Sequence, residues 1–333
     1  MSFKIFNGNT CENLTNAICA KLSCEKGDCT VDSFADGEIK IKINTTVRDK
    51  VVFIIQSITS TEKKSVNDAL MELYLMIRTM KRASAKKVIA IIPYFGYSRQ
   101  DRKTEPRVPI SASDVAMMLE TAGADRVVAL ELHCGQIQGF FRSIPCDNIY
   151  TSCLLADAIV NEQKSINTDL SNLVVVSPDA GGVSRAKSFK QMLSIAGVES
   201  EFAIIVKERD IHGQLNNMNL VGDVKNKDII IVDDICDTGG TLLKAIDELK
   251  LYGANKIYVC ITHPVFSANA IEKINNNINI EKMYVTDTIE INKDTTNIHQ
   301  VSCSELISKV IKIFVDGGSL NSLFISEMPI QTM

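Results

Sequence analysis

Short runs of aliphatic residues recur along the 333-residue chain, and most are separated by segments with helical periodicity. The aliphatic runs predict seven β-strands, at residues 51–55, 88–92, 126–130, 173–176, 202–206, 229–232 and 256–261. Leu70, Leu73, Ile77 and Met80 recur at helical spacing and predict an amphipathic helix over residues 67–83. Because the runs are aliphatic throughout, they are typical of strands buried on both faces of a parallel sheet. The pattern therefore predicts an α/β fold of mainly parallel sheets flanked by helices.

Two segments of the chain repeat one pattern. Residues 122–133, AGADRVVALELH, and residues 252–263, YGANKIYVCITH, both indicate a helix end, Gly-Ala, a strand and a final His. The offset is constant along the match and is close to the length of one α/β domain, which favours two related domains. We expect domains at 1–150 and 151–333, with the C-terminal segment packing back on the first. Chance similarity between two common helix–strand turns remains an alternative.

A long segment between two predicted strands lacks regular periodicity. Residues 209–219, RDIHGQLNNMN, are rich in Asn and contain Gly. Loops of this length in compact domains are usually functional or disordered. We therefore expect a lid over a ligand site.

Charge and composition exclude several classes of protein. The net charge of −4 gives no general attraction to nucleic acid or anionic lipid, so any phosphate must be bound locally. No apolar run approaches the roughly 18 residues that span a bilayer, and the N-terminus lacks the pattern of a secretory signal. The ten cysteines include no CxxC pair and fit no zinc motif, so we expect reduced thiols. These features predict a cytoplasmic protein that binds neither nucleic acid nor membranes.

One segment joins a buried strand to a candidate anion site. Residues 229–241, IIIVDDICDTGGT, place Asp233 and Asp234 directly after an aliphatic strand, and a predicted helix follows. The turn before that helix supplies backbone N–H groups from Thr238, Gly239, Gly240 and Thr241. Unpaired donors and the helix dipole at such a position favour phosphate, and glycine lets the backbone approach it closely. The threonine hydroxyls add further donors.

The two carboxylates restrict what this phosphate belongs to. They would repel it unless a hydroxylated or cationic group lay between them. The vicinal hydroxyls of a ribose can each donate to a carboxylate, and Mg²⁺ also accepts carboxylate ligands. We therefore predict a sugar phosphate site, with a solvated acidic loop and a phosphoacceptor Asp as open alternatives. The chain contains neither a P-loop motif nor a Rossmann glycine motif.

With the rest of the chain, this segment resembles the ribose-phosphate pyrophosphokinases (phosphoribosyl pyrophosphate synthetases) of the type I phosphoribosyltransferase-like superfamily. The resemblance runs nearly end to end and includes FADGEIKIKIN, IPYFGYSRQDRK, AGADRVVALELHCGQIQGFF, VVVSPDAGGVSRAK and LVGDV. It implies two tandem phosphoribosyltransferase-like domains, with ATP on the first and ribose 5-phosphate on the second. The implied reaction transfers the pyrophosphoryl group of MgATP to the 1-hydroxyl of ribose 5-phosphate. Its products are 5-phosphoribosyl 1-pyrophosphate, used in nucleotide biosynthesis, and AMP.

The resemblance also implies roles for individual residues. The ribose 5-phosphate site would comprise Arg209, Asp233, Asp234, Asp237, Thr238, Gly239, Gly240 and Thr241. The ATP site would comprise Phe34, Asp36, Gly37, Glu38, Arg99, Gln100 and Asp101. His133 and Asp179 would hold Mg²⁺, the implied cofactor. Lys207 and Arg209 would be catalytic, stabilising charge on the transferred group beneath the lid.

The resemblance further implies a homo-oligomer, a hexamer built from dimers, because the hairpin that carries Phe34 reaches a neighbouring subunit's ATP site. From the residues alone, this segment is also an ordinary Asp-Gly hairpin turn. Glu131, Arg142 and Pro264 depart from the residues usual in the family, which leaves their effect on magnesium binding and lid motion open.

Two other functions are alternatives to this one. A non-catalytic regulatory homologue within a synthetase complex would lose lid or metal residues, whereas His133, Asp179, Lys207 and Arg209 are all present. A phosphoribosyltransferase that consumes phosphoribosyl pyrophosphate usually needs one such domain, whereas this chain has two.

Overall fold

Buried aliphatic strands organise the chain into two units. The computed structural model describes residues 2–166, 170–209, 215–293, 295–321 and 323, with the backbone alone described at 207–209 and 215–218. The first unit comprises the described residues within Met1–Tyr150, Thr288–Glu290 and Ser302–Leu320. The second comprises those within Thr151–Asp287, Ile291–Val301 and Asn321–Met333. Two short returns of the chain therefore belong to the first unit.

The first unit is built around a parallel sheet. Its elements are β1 (Phe3–Asn7), α1 (Glu12–Lys21), β2 (Cys29–Ser33), β3 (Ile39–Ile43), β4 (Val51–Ile55), α2 (Val66–Arg82), β5 (Lys87–Ile92), α3 (Ser111–Ala122), β6 (Arg126–Leu130), a 3₁₀ helix (Gly135–Phe140) and β7 (Cys146–Ile149). Five strands lie in the order β1-β4-β5-β6-β7, and every neighbouring pair is parallel. Strands β2 and β3 form a separate antiparallel hairpin.

The second unit has a larger sheet. Its elements are α4 (Ser152–Ser165), β8 (Leu173–Ser177), α5 (Val183–Ile195), β9 (Glu201–Arg209), β10 (Leu215–Val221), β11 (Asp228–Cys236), α6 (Gly240–Leu251), β12 (Ile257–Pro264), α7 (Ala270–Asn275), β13 (Lys282–Thr286) and β14 (Ile298–Val301). The strand order is β10-β9-β8-β11-β12-β13-β14, and only the β9–β10 pair is antiparallel. Helix α8 (Ser304–Asp316) follows in the chain, belongs to the first unit and packs against α1.

The sheet of the second unit is covered on both faces. Val174, Val176, Ile229 and Ile231 belong to one apolar core. The alternating neighbours Val175, Ile230 and Val232 belong to a second core. Full burial of each such side chain contributes about 1.5–3 kcal/mol. The continuous aliphatic runs thus gave parallel strands buried on both faces, and the predicted α/β architecture is confirmed.

Helix α2 shows how local sequence sets an element. Ser65 accepts a hydrogen bond from the Asp68 backbone N–H, and the Asp68 carboxylate accepts from the Ser65 N–H, which forms a capping box. Leu73, Ile77 and Met80 are fully buried on the face predicted from their spacing.

The segment predicted as an irregular lid is partly a strand, which corrects that expectation. Strand β10 pairs with β9 in antiparallel register, with Val221 opposite Ile204 and Met218 opposite Lys207. The hydrogen bonds that pair β9 with β10 join backbone groups, so the Asn-rich side chains did not reveal the pairing. Residues 210–214 of the predicted lid lie outside the described residues.

No helix within the described parts of the chain combines the length and the apolar character needed to cross a membrane.

Candidate functional site

Strands β8 and β11 carry candidate ligand-binding groups at adjacent ends. They pair in parallel, with Val174 opposite Ile229 and Val176 opposite Ile231. Asp179 follows β8, and Asp233 and Asp234 lie near the end of β11. Since ligands of open α/β sheets bind beyond the carboxyl ends of the strands, this edge is the expected binding edge of the second unit.

The turn after β11 has the backbone geometry of an anion site. Gly239 precedes α6 with φ +74°, a left-handed conformation that favours glycine. Its carbonyl accepts the Leu243 N–H at 2.9 Å, which starts the helix. Gly240 is exposed, and a Cβ placed there would meet no atom nearer than Thr238 Oγ1 at 3.8 Å. The space in front of the first helical turn is therefore open.

The first turn of α6 is also suited to an anion. Thr238 and Thr241 are exposed beside Gly240, and the N-cap residue, Gly239, has no side chain to cap the helix. The orphan N–H groups and the helix dipole at such an end favour a phosphate by about 0.3–2 kcal/mol. We refer to residues 238–241 as the phosphate turn.

A guanidinium joins the two carboxylates of β11. Arg185 Nη1 donates to Asp233 Oδ1 at 3.2 Å and lies 3.3 Å from Asp234 Oδ1. Asp233 Oδ1 also accepts the Asp234 backbone N–H at 2.9 Å. The Asp233 side chain remains 26% exposed, whereas that of Asp234 is 5% exposed. Asp233 is therefore the more accessible of the two acids.

Burial controls the charge of Asp233. Desolvation and the adjacent Asp234 carboxylate raise the pKa of Asp233 to about 7, while Arg185 acts in the opposite direction. A carboxyl group balanced in this way, at the end of a sheet strand, is typical of a functional site.

Asp179 has a structural role as well as a candidate ligand role. Its Oδ1 accepts the Gly182 N–H at 3.0 Å, just before α5, and its carbonyl accepts the Ser177 hydroxyl at 2.7 Å. The side chain is half-buried. The turn that starts α5 therefore holds Asp179 in place.

In the first unit, β5 and β6 are adjacent and carry Arg99, Gln100, Asp101 and His133 in the loops that follow them. Arg99 and His133 are exposed. The Gln100 side-chain oxygen accepts the Ser111 hydroxyl. Burial and a hydrogen bond to Asp101 raise the pKa of the Cys134 thiol, which shows that the two loops touch.

Backbone strain marks the same two loops. Tyr97 has φ +66° and Glu131 has φ +44°, both left-handed conformations of non-glycine residues. Such residues cluster at functional sites, where the surrounding structure holds them. The sequence does not show this conformation, which also occurs at seven other described non-glycine residues.

The β2–β3 hairpin presents the other predicted ATP residues. Its turn is closed by hydrogen bonds from Phe34 N–H to the Glu38 carbonyl at 2.8 Å and from Gly37 N–H to the Phe34 carbonyl at 3.0 Å. Asp36 accepts the Glu38 N–H at 3.1 Å, and Gly37 has φ +95°. Phe34 is 51% exposed, with Lys40 Nζ 5.4 Å from its ring centroid. The hydrogen-bonded Asp-Gly turn thus presents an exposed aromatic ring.

The side chains of the two predicted catalytic residues, Lys207 and Arg209, lie outside the described residues, although their backbone belongs to β9. Their roles remain predictions.

No group of three or more His, Cys, Asp or Glu side chains in the described part of the chain is arranged to hold a metal ion. Mg²⁺ usually keeps several waters and substrate phosphate oxygens and takes only one or two protein carboxylates. Asp179 fits that ligand chemistry. His133 fits it less well, because imidazole suits softer metals.

Arg185 is the residue that sequence reasoning missed. It lies in VVVSPDAGGVSRAK, but the pattern there shows only a basic residue on a helix. Its partners are 48 and 49 positions away in the chain, and the contact depends on β8 and β11 being neighbours.

Comparisons with known proteins agree with this arrangement. The model for the N-terminal domain of ribose phosphate pyrophosphokinase matches residues 3–123, and the model for the phosphoribosyl transferase domain matches residues 147–304. The chain is 42% identical over 323 residues to proteins named ribose-phosphate pyrophosphokinase from Wolinella succinogenes and Campylobacter jejuni. Each match covers 97% of this chain and 99% of the relative.

A solved structure gives the same result. Phosphoribosylpyrophosphate synthetase from Mycobacterium smegmatis superposes with a TM-score of 0.85 at 34% identity, over 96% of this chain and 100% of that one. The protein is thus an α/β enzyme with two related phosphoribosyltransferase-like domains in tandem. The chain belongs to the ribose-phosphate pyrophosphokinase family. Membership confirms the resemblance found in the sequence. The protein is therefore a transferase of nucleotide biosynthesis, from a family named for the synthesis of phosphoribosyl pyrophosphate.

Proposed function

We propose that the protein transfers the β,γ-pyrophosphoryl group of MgATP to the 1-hydroxyl of ribose 5-phosphate, forming 5-phosphoribosyl 1-pyrophosphate and AMP. The observation that carries this proposal is the phosphate turn that follows the partly exposed Asp233 carboxylate on β11. A ligand that fits both has a phosphate at one end and donating hydroxyls a few atoms away. A pentose 5-phosphate meets that requirement.

Each end of the pentose has its own partner in the proposed complex. The 5-phosphate accepts from the N–H groups and hydroxyls of Thr238–Thr241 at the start of α6. The ring hydroxyls donate to Asp233, which is the accessible acid, while the buried Asp234 supports it. Asp237 is half-buried at the start of the turn and completes the proposed site. Positioning the 1-hydroxyl in this way is the main catalytic task, since phosphoryl transfer depends on alignment and charge stabilisation.

For ATP, we propose the loops after β5 and β6 together with the hairpin tip. Arg99 is an exposed guanidinium and suits a triphosphate. Phe34 offers a ring face for adenine, and Asp36 and Glu38 stand on the same rigid turn. Gln100 and Asp101 are held by Ser111 and Cys134, which orients the loop.

Mg²⁺ is the proposed cofactor, with Asp179 as the proposed ligand residue in the second unit and His133 as the proposed one in the first. When bound, it would neutralise charge on the phosphates of ATP. The chain's own contribution is the fixed orientation of Asp179, which the Gly182 N–H maintains.

Lys207 and Arg209 are proposed to stabilise charge on the transferred group, and Arg209 also to contact the pentose. Both lie on β9, which with β10 forms the base of the proposed lid. Closure of such a segment would exclude water that otherwise hydrolyses ATP.

We also propose a homo-oligomer, a hexamer built from dimers. The apolar side of the β2–β3 hairpin, including Val31, Ile41 and Ile43, packs on the core of the first unit. The tip that carries Phe34 is left exposed and rigid. A second copy of the chain is the proposed recipient of this ring.

The cytoplasm is the proposed location. The ten cysteines, all of them among the described residues, form no disulfide bond, which fits a reducing compartment.

The test combines purified protein, ATP, Mg²⁺ and ribose 5-phosphate, with product analysis by mass spectrometry. The proposal expects equal amounts of AMP and 5-phosphoribosyl 1-pyrophosphate, with no AMP when ribose 5-phosphate is omitted. Formation of ADP, or no turnover at all, would contradict it. No turnover from well-folded protein that still binds both ligands would instead support the regulatory homologue.

A further inference from the structure

Arg185 occupies a position between the carboxylates that face the proposed pentose. It lies on α5, and its side chain is 12% exposed. One guanidinium nitrogen reaches both acids, at 3.2 Å from Asp233 Oδ1 and 3.3 Å from Asp234 Oδ1. Arg185 thus contacts both carboxylates through a single nitrogen.

Two adjacent carboxylates on one strand repel each other, and the repulsion grows as they are buried. A charge-assisted hydrogen bond from a guanidinium offsets that repulsion and also fixes the direction of each acid. Lysine would supply the charge, but its freely rotating ammonium lacks the fixed donor directions of the planar guanidinium, of which Arg185 uses one nitrogen.

The three side chains of this cluster differ in their exposure to solvent. The nearly buried Asp234 and Arg185 lie on the protein side, and Asp233 is the group with exposed surface. Asp233 is therefore held from behind, with the rest of its carboxylate available to a ligand. An ion pair of purely structural value would not need to leave one acid open at the binding edge of the sheet.

We propose that Arg185 is a positioning residue for the pentose, which holds Asp233 in the orientation that reads the vicinal ring hydroxyls. The inference rests on the proposed function, since it assumes a pentose phosphate in this site. Loss of Arg185 should therefore weaken binding of the ring hydroxyls and leave binding of the 5-phosphate unchanged.

A second ion-paired cation in the same unit provides a control. Lys227 is 13% exposed and pairs with Glu201 at 2.6 Å and with Asp223 at 3.4 Å. Both of its acids are mostly exposed, and they lie away from the phosphate turn in the chain and in strand order. Lys227→Met removes a similar ion-pairing cation without touching the proposed site.

The experiment measures dissociation constants for ribose 5-phosphate and 2-deoxyribose 5-phosphate by titration calorimetry. Mg²⁺ and α,β-methylene-ATP, which cannot transfer its pyrophosphoryl group, are present throughout. We expect the wild type to prefer the ribose compound, and Arg185→Met to weaken its binding roughly tenfold or more, the scale of one charged hydrogen bond. Binding of the deoxy compound should weaken by clearly less, so the ratio of the two constants shrinks. Lys227→Met should keep the wild-type ratio.

Arg185→Lys keeps the charge and guards against misfolding of the methionine variant. We expect it to melt near the wild-type temperature and to show a reduced ratio. Equal weakening of both ligands in Arg185→Met, an unchanged ratio in Arg185→Lys, or no ribose preference in the wild type would each overturn the inference. If the wild type discriminates as expected but releases no AMP from ATP, the proposed reaction fails while the role of Arg185 stands.

Discussion

The Asp233 carboxylate shows how neighbours set the charge of one side chain. Burial and Asp234 favour its protonated form, while Arg185 favours its ionised form. Because the pKa is raised, Asp233 in the folded protein keeps its proton up to about pH 7. In the unfolded chain the same carboxyl group loses its proton at about pH 4.

This difference predicts a pH dependence of stability. Between these two values the folded state holds more protons, so the unfolding free energy falls as pH rises. One proton contributes a slope of at most about 1.4 kcal/mol per pH unit. Urea denaturation from pH 4 to pH 8 should therefore show a steeper loss of stability in wild type than in Asp233→Asn, which cannot titrate. A constant offset between the two proteins at every pH would contradict the assignment.

At the scale of elements, the start of α6 separates a folding role from a binding role. Gly239 requires its left-handed backbone, whereas Gly240 has open space in front of it. Two neighbouring glycines should thus respond differently to the same added methyl group.

Gly240→Ala should keep the melting temperature of the wild type or raise it slightly, because alanine is a better helix former by up to about 1 kcal/mol. It should weaken ribose 5-phosphate binding severalfold or more, since the methyl group occupies the phosphate turn. Gly239→Ala should instead lose roughly 1 kcal/mol of stability or more through backbone strain. Thermal melts and calorimetry measure both effects. Leu251→Ala, at the 80% exposed far end of α6, is the control and should change neither. Unaffected ligand binding in Gly240→Ala would contradict the proposed phosphate site.

The hairpin of β9 and β10 carries the proposed lid residues. Lys207→Ala should reduce turnover by orders of magnitude, because a cation on the transferred group stabilises the transition state. Its melting temperature should barely change. Parallel measurement of steady-state turnover and thermal unfolding tests this, and a comparable loss of both would show that Lys207 is structural.

The sequence predicted some elements far better than others. Residues 51–55 and 126–130 coincide with β4 and β6, since strands buried on both faces are aliphatic throughout. Strands β2 and β3 alternate between half-buried and exposed residues, and β10 is rich in Asn, so none of the three has a continuous apolar run. Edge strands and hairpins depend on backbone pairing that single-residue patterns do not show.

The internal repeat correctly indicated a glycine turn between a helix and a strand in both units, but not the environment of its final histidine. Gly123 and Gly253 both have left-handed backbones, at φ +98° and +85°, between a helix and a strand. Strand β12 continues to Pro264 and buries His263, whereas β6 ends at Leu130 and leaves His133 exposed. Two histidines at matching positions in the sequence therefore have different environments, because β12 extends past its histidine and β6 ends before its own.

At the scale of the whole molecule, the proposed active site depends on contacts that are distant in the chain. The phosphate turn was predictable because its residues are consecutive. The Arg185–Asp233 pair and the contact between Asp101 and Cys134 were not, because each requires knowing which strands are neighbours.

The proposed oligomer can be tested by complementation. If Phe34 serves a neighbouring subunit, Phe34→Ala and Lys207→Ala inactivate different contributors to one site. Co-expression of the two variants should restore activity, up to about one intact site in four for random pairing in a two-fold dimer. Each variant alone should remain weak, with Phe34→Ala well folded because its ring is exposed. No recovery in the purified mixed oligomer would place Phe34 in its own subunit's site.

The central claim is that the turn of Thr238–Thr241 binds the 5-phosphate of a pentose while Asp233 binds its ring hydroxyls. A crystal structure of the protein with ribose 5-phosphate tests it most directly. We expect the phosphate within hydrogen-bonding distance of the N–H groups of Gly239, Gly240 and Thr241, and at least one ring hydroxyl on Asp233. A pentose phosphate bound at full occupancy elsewhere, with this turn unoccupied, would contradict the account.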